Sequence, residues 1–274
     1  MPDTSRTWLY APGDRPDRLQ KAMESRAHEV IWDLEDAVSS DQKLRARDTV
    51  TRLLKEPLSR TPWVRVNGLD TAWGYDDLGA LHDAVGPNLR IVLPKATRAA
   101  VQELCERGFA REWLFIIETA QGLADVMDVK NPWPGIGRLA FGALDYRNDI
   151  GALETADEGE LGFPRSVLVL ASRVWGWPGP IDAVFPGITD GDALEASARR
   201  ARALGMAGKM IIHPQQIAPV HRAYAPAPDE VAWAREVMTA SQNAGAVKVR
   251  GAMVDRPVIE RARQILKEVN ENDG

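Results

Sequence analysis

Cysteine is nearly missing from this chain. Cys105 is the single one in 274 residues, which excludes an internal disulfide framework and any cysteine-built metal cluster. In AAVQELCERG it sits beside Leu104 on a helical pattern, so packing is the favoured reading over a catalytic thiol. A lone thiol also suits a reducing compartment. No apolar run approaches the ~20 residues of a membrane span. The start, MPDTSRTWLY, lacks the long apolar core of a signal peptide. A cytoplasmic protein without a membrane partner is expected. Excess positive charge is also lacking: the net charge is −5, which gives no reason to expect nucleic acid. An anionic ligand would need a local basic patch.

Histidine is scarce as well, with four in the chain. His28, His82 and His221 fall in helical or surface segments. His213, in IIHPQQI before Pro214 at a helix start, is open to a structural or a general-base role, the structural one favoured. Low-complexity segments and short internal repeats are absent.

What is present is a rhythm. Short apolar runs recur at TWLYAPG (7–13), EVIWDLED (29–36), PWVRVNG (62–68), NLRIVLPK (88–95), WLFIIET (113–119), GRLAFGALD (137–145), IDAVFPGI (181–188) and GKMIIHP (208–214). Helix-spaced stretches such as DRLQKAMES, YDDLGALHDAV and DALEASARRARALG separate them. One such run is ambiguous between strand and buried helix turn. Eight in alternation with helices predict parallel strands closed into a (β/α)₈ TIM barrel, an α/β fold. An open doubly wound sheet is the alternative, but APGDRPDR lacks the Gly-rich nucleotide turn that such a sheet carries after its first strand. The barrel is assigned to residues 1–225. Residues 226–274 read as a C-terminal helical extension, with helices in 226–244 and 256–269 and a Gly-punctuated loop or hairpin between. This extension is expected to pack on the barrel mouth or on a neighbouring subunit.

A barrel of this kind places its chemistry at the C-terminal strand ends, and the ends of these runs are charged. They offer Tyr10 and Arg15, then Asp33, Glu35 and Asp36, then Arg65 and Asn67, Lys95, Glu118, Asp145 and His213. Glu118 and Asp145 end neighbouring strands, so both can face one cation. With no cysteine available, two carboxylates completed by water and substrate oxygens suit a hard ion, Mg²⁺ before Mn²⁺ or Ca²⁺. The bland reading is that each merely caps the following helix; the pairing on adjacent strands favours the metal. Arg65, between two valines in WVRVNG, needs a partner if buried. That partner is Glu35 or Asp36, a substrate carboxylate, or both. Strand alternation would put Asp33 and Glu35 on one face of DLED and Leu34 and Asp36 on the other. Arg15, Arg18 and Lys21 in PGDRPDRLQK form either a solvated helix face or an anion site.

These blocks resemble a known family. LYAPGDRP, VIWDLEDAV, VRVNGLDTAWGYDDL, VLPK, IIET, FGALDY, GKMIIHPQQI and GAMVDRPVIERA occur in order from about residue 8 to 265. Together they resemble the citrate lyase β-subunit-like (CitE-like) proteins of the HpcH/HpaI aldolase/citrate lyase family. The resemblance implies a Mg²⁺-dependent barrel that breaks or forms a C–C bond beside an acyl thioester. It implies Glu118 and Asp145 as metal ligands and Arg65 as the substrate-binding arginine. Tyr10, Arg15 and Lys21 match acyl-CoA contacts. Asp255, in GAMVDRP, matches an aspartate that reaches over the neighbouring subunit's active site, which implies an oligomer, a trimer first.

The chemistry suits the residues. A cation on Glu118 and Asp145 can chelate the substrate's hydroxyl and carboxylate, making Glu118 a substrate contact too. Arg65 can hold that carboxylate or the developing oxyanion, and Asp255 can protonate the enolate carbon. Asp36 or a cation-held hydroxide can take the hydroxyl proton. The expected activity is a lyase acting on malyl-CoA, citramalyl-CoA or a citryl thioester, releasing an acetyl thioester and a 2-oxo acid. The alternatives are a citrate lyase β subunit, fed by an acyl-carrier protein within a multi-subunit complex, and a non-catalytic barrel subunit.

Overall fold

The structure, a computed structural model, describes residues 5–135, 137–242 and 247–272. The chain divides into two compact units, Met1–Ala223 and Tyr224–Gly274. In the first, eight parallel strands close into a barrel in sequence order. They are β1 (Thr7–Pro12), β2 (Glu29–Asp33), β3 (Trp63–Arg65), β4 (Arg90–Leu93), β5 (Glu112–Ile117), β6 (Gly137–Phe141), β7 (Ile181–Asp182) and β8 (Gly208–Ile211). β8 pairs back on β1, with Trp8 opposite Met210. Each apolar run of the sequence therefore supplies one strand, and the eightfold alternation has its expected result.

Helices fill the connections: α1 (Pro16–Met23), α2 (Lys43–Leu53), α3 (Gly74–Val85), α4 (Arg98–Arg107), α5 (Ala120–Met127), α6 (Ala143–Ile150), α7 (Gly162–Trp175), α8 (Gly191–Ala203) and α9 (Ile217–Tyr224). Their starts are written locally. Pro16 opens α1, where its missing N–H costs nothing. Thr97 and Thr119 cap α4 and α5 by accepting from the amides of Ala100 and Gly122.

Side-chain alternation sorts the barrel into an inner and an outer layer. Trp8, Ile31, Trp63, Val92, Leu114 and Ile181 belong to one buried cluster that fills the interior. Each large side chain so buried contributes roughly 1.5–3 kcal/mol. The opposite parity faces the helices, and there the barrel hides charge. Asp182 accepts from Arg165 Nε at 2.8 Å and from Lys209 Nζ at 2.5 Å, with all three side chains buried. Glu158 adds a second carboxylate to Arg165.

The second unit holds α10 (Pro228–Ala240), a hairpin of β9 (Val247–Val249) and β10 (Ala252–Val254), and α11 (Arg256–Asn272). Of the two readings for 245–255 the hairpin is the observed one. Its two turn residues, Arg250 and Gly251, both have positive φ (47° and 82°), as a two-residue type I′ turn requires. The expected end of the first helix, residues 243–244, lies outside the described residues. Among the described residues no helix is long and apolar enough to cross a membrane.

Candidate active site

Inward parity explains why a carboxylate ends β5. Leu114 and Ile116 face the interior cluster, so Glu118, two residues on, continues the same row at the mouth. It is 4% exposed. Its Oε1 accepts the backbone N–H of Lys95 at 2.7 Å. A Cβ on Gly142 would lie 2.3 Å from its Oε2, so the glycine leaves room for this carboxylate. Burial pushes its pKa up to about 7, and the charges of Asp145 and Asp36 push the same way.

Asp145 is not at a strand end. β6 stops at Phe141, and Asp145 stands in the first turn of α6, exposed. The helix-terminus reading and the metal reading thus apply to it together. It makes no hydrogen bond or ion pair among the described residues, and with Glu118 it lines a cavity of about 450 Å³ at the barrel mouth.

Arg65 crosses the interior of this cavity. Its Nε and one terminal nitrogen donate to both oxygens of Asp33, at 2.7 and 2.6 Å. The other terminal nitrogen donates to Asp36 at 3.1 Å and lies 2.9 Å from Glu35 Oε2, though without hydrogen-bond alignment. The guanidinium stacks over Tyr10, 4.7 Å from the ring centre. Burial would raise the pKa of Asp33, but the charge and hydrogen bonds of Arg65 hold it below the usual carboxylate range. Glu35 is pushed up to about 8 by burial, against the attraction of Arg65.

The expected division of DLED into two faces does not occur. β2 ends at Asp33, whose carboxylate accepts from the amides of Glu35 and Ala37 and turns the chain out of strand geometry. Strand alternation therefore stops, and Asp36 joins Asp33 and Glu35 on Arg65.

The remaining candidates separate. Tyr10 lies beneath Arg65, its hydroxyl donating to Met210 Sδ at 3.2 Å, and burial raises its pKa. Arg15, which precedes α1, and Lys21 on it are exposed and do not line the cavity; Arg15 pairs with Asp17 at 3.2 Å. Arg18, one turn along, does line it. Asn67 is held by Asp77, which also pairs with Arg47, a structural use. His213 Nδ1 accepts from the amide of Gln215, the favoured structural role. Burial raises the pKa of the Cys105 thiol, in keeping with packing. Asp255 belongs to the second unit, where it is exposed and accepts from the amide of Val258 at the start of α11.

An apolar wall faces these charges, made of Ile116, Val184, Pro186 and Met210, and is not among the residues expected from the sequence. The signal was available, since each falls within an apolar run. The sequence marks Lys95 as a strand-end charge and carries no sign of the use of its amide.

The donor set fits a hard divalent cation. Among the described residues no group of three or more His, Cys, Asp or Glu is arranged to hold a metal alone. Two carboxylates on one cavity wall, one with an oxygen not engaged by any described donor, leave positions for water and substrate oxygens. Thiolate- or imidazole-preferring metals find no ligands here.

Comparison with known proteins agrees. A family model described as HpcH/HpaI aldolase/citrate lyase matches residues 6–214. A second, C–C bond lyase of the TIM-barrel fold, matches residues 184–270. The citrate lyase subunit beta-like protein of Mycobacterium tuberculosis is 36% identical over 96% of this chain and 95% of its own. The L-malyl-CoA/beta-methylmalyl-CoA lyase of Cereibacter sphaeroides is 31% identical over 96% and 94%. The crystal structure of CitE from M. tuberculosis, in complex with magnesium, acetoacetate and coenzyme A, superposes with a TM-score of 0.84. It is 35% identical and covers 97% of this chain and 98% of its own. The chain belongs to the HpcH/HpaI aldolase/citrate lyase family of TIM-barrel carbon–carbon lyases.

Proposed function

We propose that this protein is a Mg²⁺-dependent lyase that cleaves a 3-hydroxy-carboxyacyl thioester, of the malyl-, citramalyl- or citryl-CoA type, into an acetyl thioester and a 2-oxo acid. One observation carries the reading: Arg65 faces the same cavity as Glu118 and Asp145, so one carboxylate can meet a guanidinium nitrogen and a cation site together. CoA in the neighbouring structure and malyl-CoA in the relative's name support the thioester.

Glu118 and Asp145 would hold the cation. Magnesium bound there supplies Lewis-acid polarisation of the substrate's hydroxyl and carboxylate oxygens. Arg65, fixed by Asp33, orients that carboxylate through its outer nitrogen. Asp36 is 71% exposed and can leave Arg65 to accept the hydroxyl proton. As the C–C bond breaks, its electron pair passes to the carbon beside the thioester. A proton delivered to that carbon completes the acetyl group, and by family resemblance its donor is Asp255 of a neighbouring subunit. The apolar wall keeps water from the carbanionic carbon.

Arg18, at the cavity edge with no ion-pair partner among the described residues, is the α1 cation best placed for an anionic group of the carrier. Phe163, Leu170 and Val174 form an exposed apolar stripe on α7, at 60%, 55% and 55% exposure. Monomers rarely leave such a stripe open to water, which supports a homo-oligomer, a trimer by family resemblance.

The test is keto-acid release from malyl-, citramalyl- and citryl-CoA, with and without Mg²⁺, in wild type, Glu118→Ala and Asp255→Asn. Mg²⁺-dependent cleavage of one thioester, abolished in Glu118→Ala, is expected. Turnover that ignores Mg²⁺ would refute the proposal. Activity only when α and acyl-carrier subunits are supplied would make it a citrate lyase β subunit instead.

A further inference from the structure

Among the described residues, three that are not glycine have positive φ: Lys95, Glu158 and Arg250. Arg250 serves a hairpin turn and Glu158 the loop before α7. Lys95, at φ 46°, stands two residues beyond β4, at the mouth of the barrel. L-residues avoid this conformation because Cβ crowds the backbone, and such geometry persists where the surroundings enforce it.

The local sequence explains how it arises. Leu93 is the last residue of β4, opposite Phe115 of β5. Pro94 has no N–H and cannot extend the ladder. Ala96 resumes it, donating to the carbonyl of Ile116 at 3.0 Å. Between the two, the left-handed turn at Lys95 directs its own amide to the Glu118 carboxylate instead, at 2.7 Å. Its side chain goes elsewhere. It is 43% exposed, its ammonium 3.9 Å from Asp70, and it lines a separate depression with Thr97, Thr119 and Asp149. The ammonium does not line the cavity that holds Glu118 and Arg65.

We propose that Lys95 is a positioning residue for Glu118, acting through its left-handed backbone and not through its charge. Its amide occupies Oε1 and sets the plane of the carboxylate. Oε2 is then presented over Gly142, towards the helix that carries Asp145. The inference rests on the reading that Glu118 holds Mg²⁺. It predicts that metal affinity follows how easily residue 95 adopts positive φ.

The test is the Mg²⁺ dissociation constant by titration calorimetry, without substrate, for wild type, Lys95→Gly, Lys95→Gln and Lys95→Val. Glycine takes positive φ freely, glutamine keeps an unbranched side chain without charge, and valine resists the conformation. Affinities within about threefold of wild type are expected for Gly and Gln, and a loss of about tenfold or more for Val, in the order in which these residues tolerate positive φ. Equal loss in Gln and Val would assign the role to the ammonium and overturn the proposal. So would wild-type affinity in a folded Val variant.

A second measurement needs no change at residue 95. The Lys95 amide proton should exchange slowly in wild type and markedly faster in Glu118→Ala, and unchanged exchange would overturn the contact. If wild type binds no Mg²⁺ at all, the functional reading fails, while amide exchange still decides the positioning claim.

Discussion

Asp33 grips Arg65 with both carboxylate oxygens, at 2.7 and 2.6 Å, in the barrel interior above the buried layer of Trp8, Ile31, Trp63 and Leu114. The pair links β2 and β3 at opposed register positions, so it acts as a strand clamp and as the mount for the outer guanidinium nitrogen. Removing one member of a buried pair costs about 3–5 kcal/mol, and Glu35 and Asp36 replace only part of what Asp33 gives Arg65. Asp33→Ala should therefore lower stability by that order in denaturant unfolding. Arg65→Lys should keep the charge but lose the fork, and turnover should fall about 100-fold, as for loss of an oriented oxyanion donor.

Gly142 is required by volume, not by its backbone. Its φ is −105°, open to any residue, but a Cβ there would stand 2.4 Å from the Cβ of Glu118. Neither atom is the free end of a flexible chain. Gly142→Ala should cost about 1–3 kcal/mol in overpacking, and Mg²⁺ affinity measured by calorimetry should fall with it.

Asp182 offers the contrasting case, a buried charge cluster away from the mouth. Asp182→Ala would strand Lys209 and leave Arg165 with Glu158 alone in the layer between strands and helices. A loss of about 3–5 kcal/mol in unfolding free energy is expected. The variant, where it folds, should bind Mg²⁺ as wild type does, because the cluster faces the helices.

Thr7 Oγ1 lies 2.9 Å from His28 Nδ1 and 3.2 Å from His221 Nε2. Burial, and then the neighbouring His28, push the His221 pKa down from 6.5 to about 4. The unfolded chain thus binds this proton more readily than the folded one between those values. Stability is complete above pH 6.5 and falls as pH drops towards 4. Melting temperatures measured across about pH 4–7 should show this slope in wild type, and a shallower one in His221→Gln.

The sequence by itself determined the barrel and most of its charged mouth. Strand alternation and helix spacing are local periodicities, and eight cycles of them leave little choice of closure. For the same reason Glu118 and Arg65 were legible, since each is charged where its run demands an apolar residue. Asp145 was legible as a partner of Glu118, although its place on α6 was not. Only the tertiary structure decided the rest. Whether Asp36 sides with Asp33 depends on where β2 stops pairing, and that is set by Asp33 capping its own turn. Arg18, and not Arg15 or Lys21, lines the cavity because helix phase is fixed by the docking of α1. That the amide of Lys95 meets Glu118 depends on the register of β4 against β5 and on one left-handed residue. Such contacts join positions 23 to 32 residues apart, and no local pattern encodes the distance between them until the barrel closes.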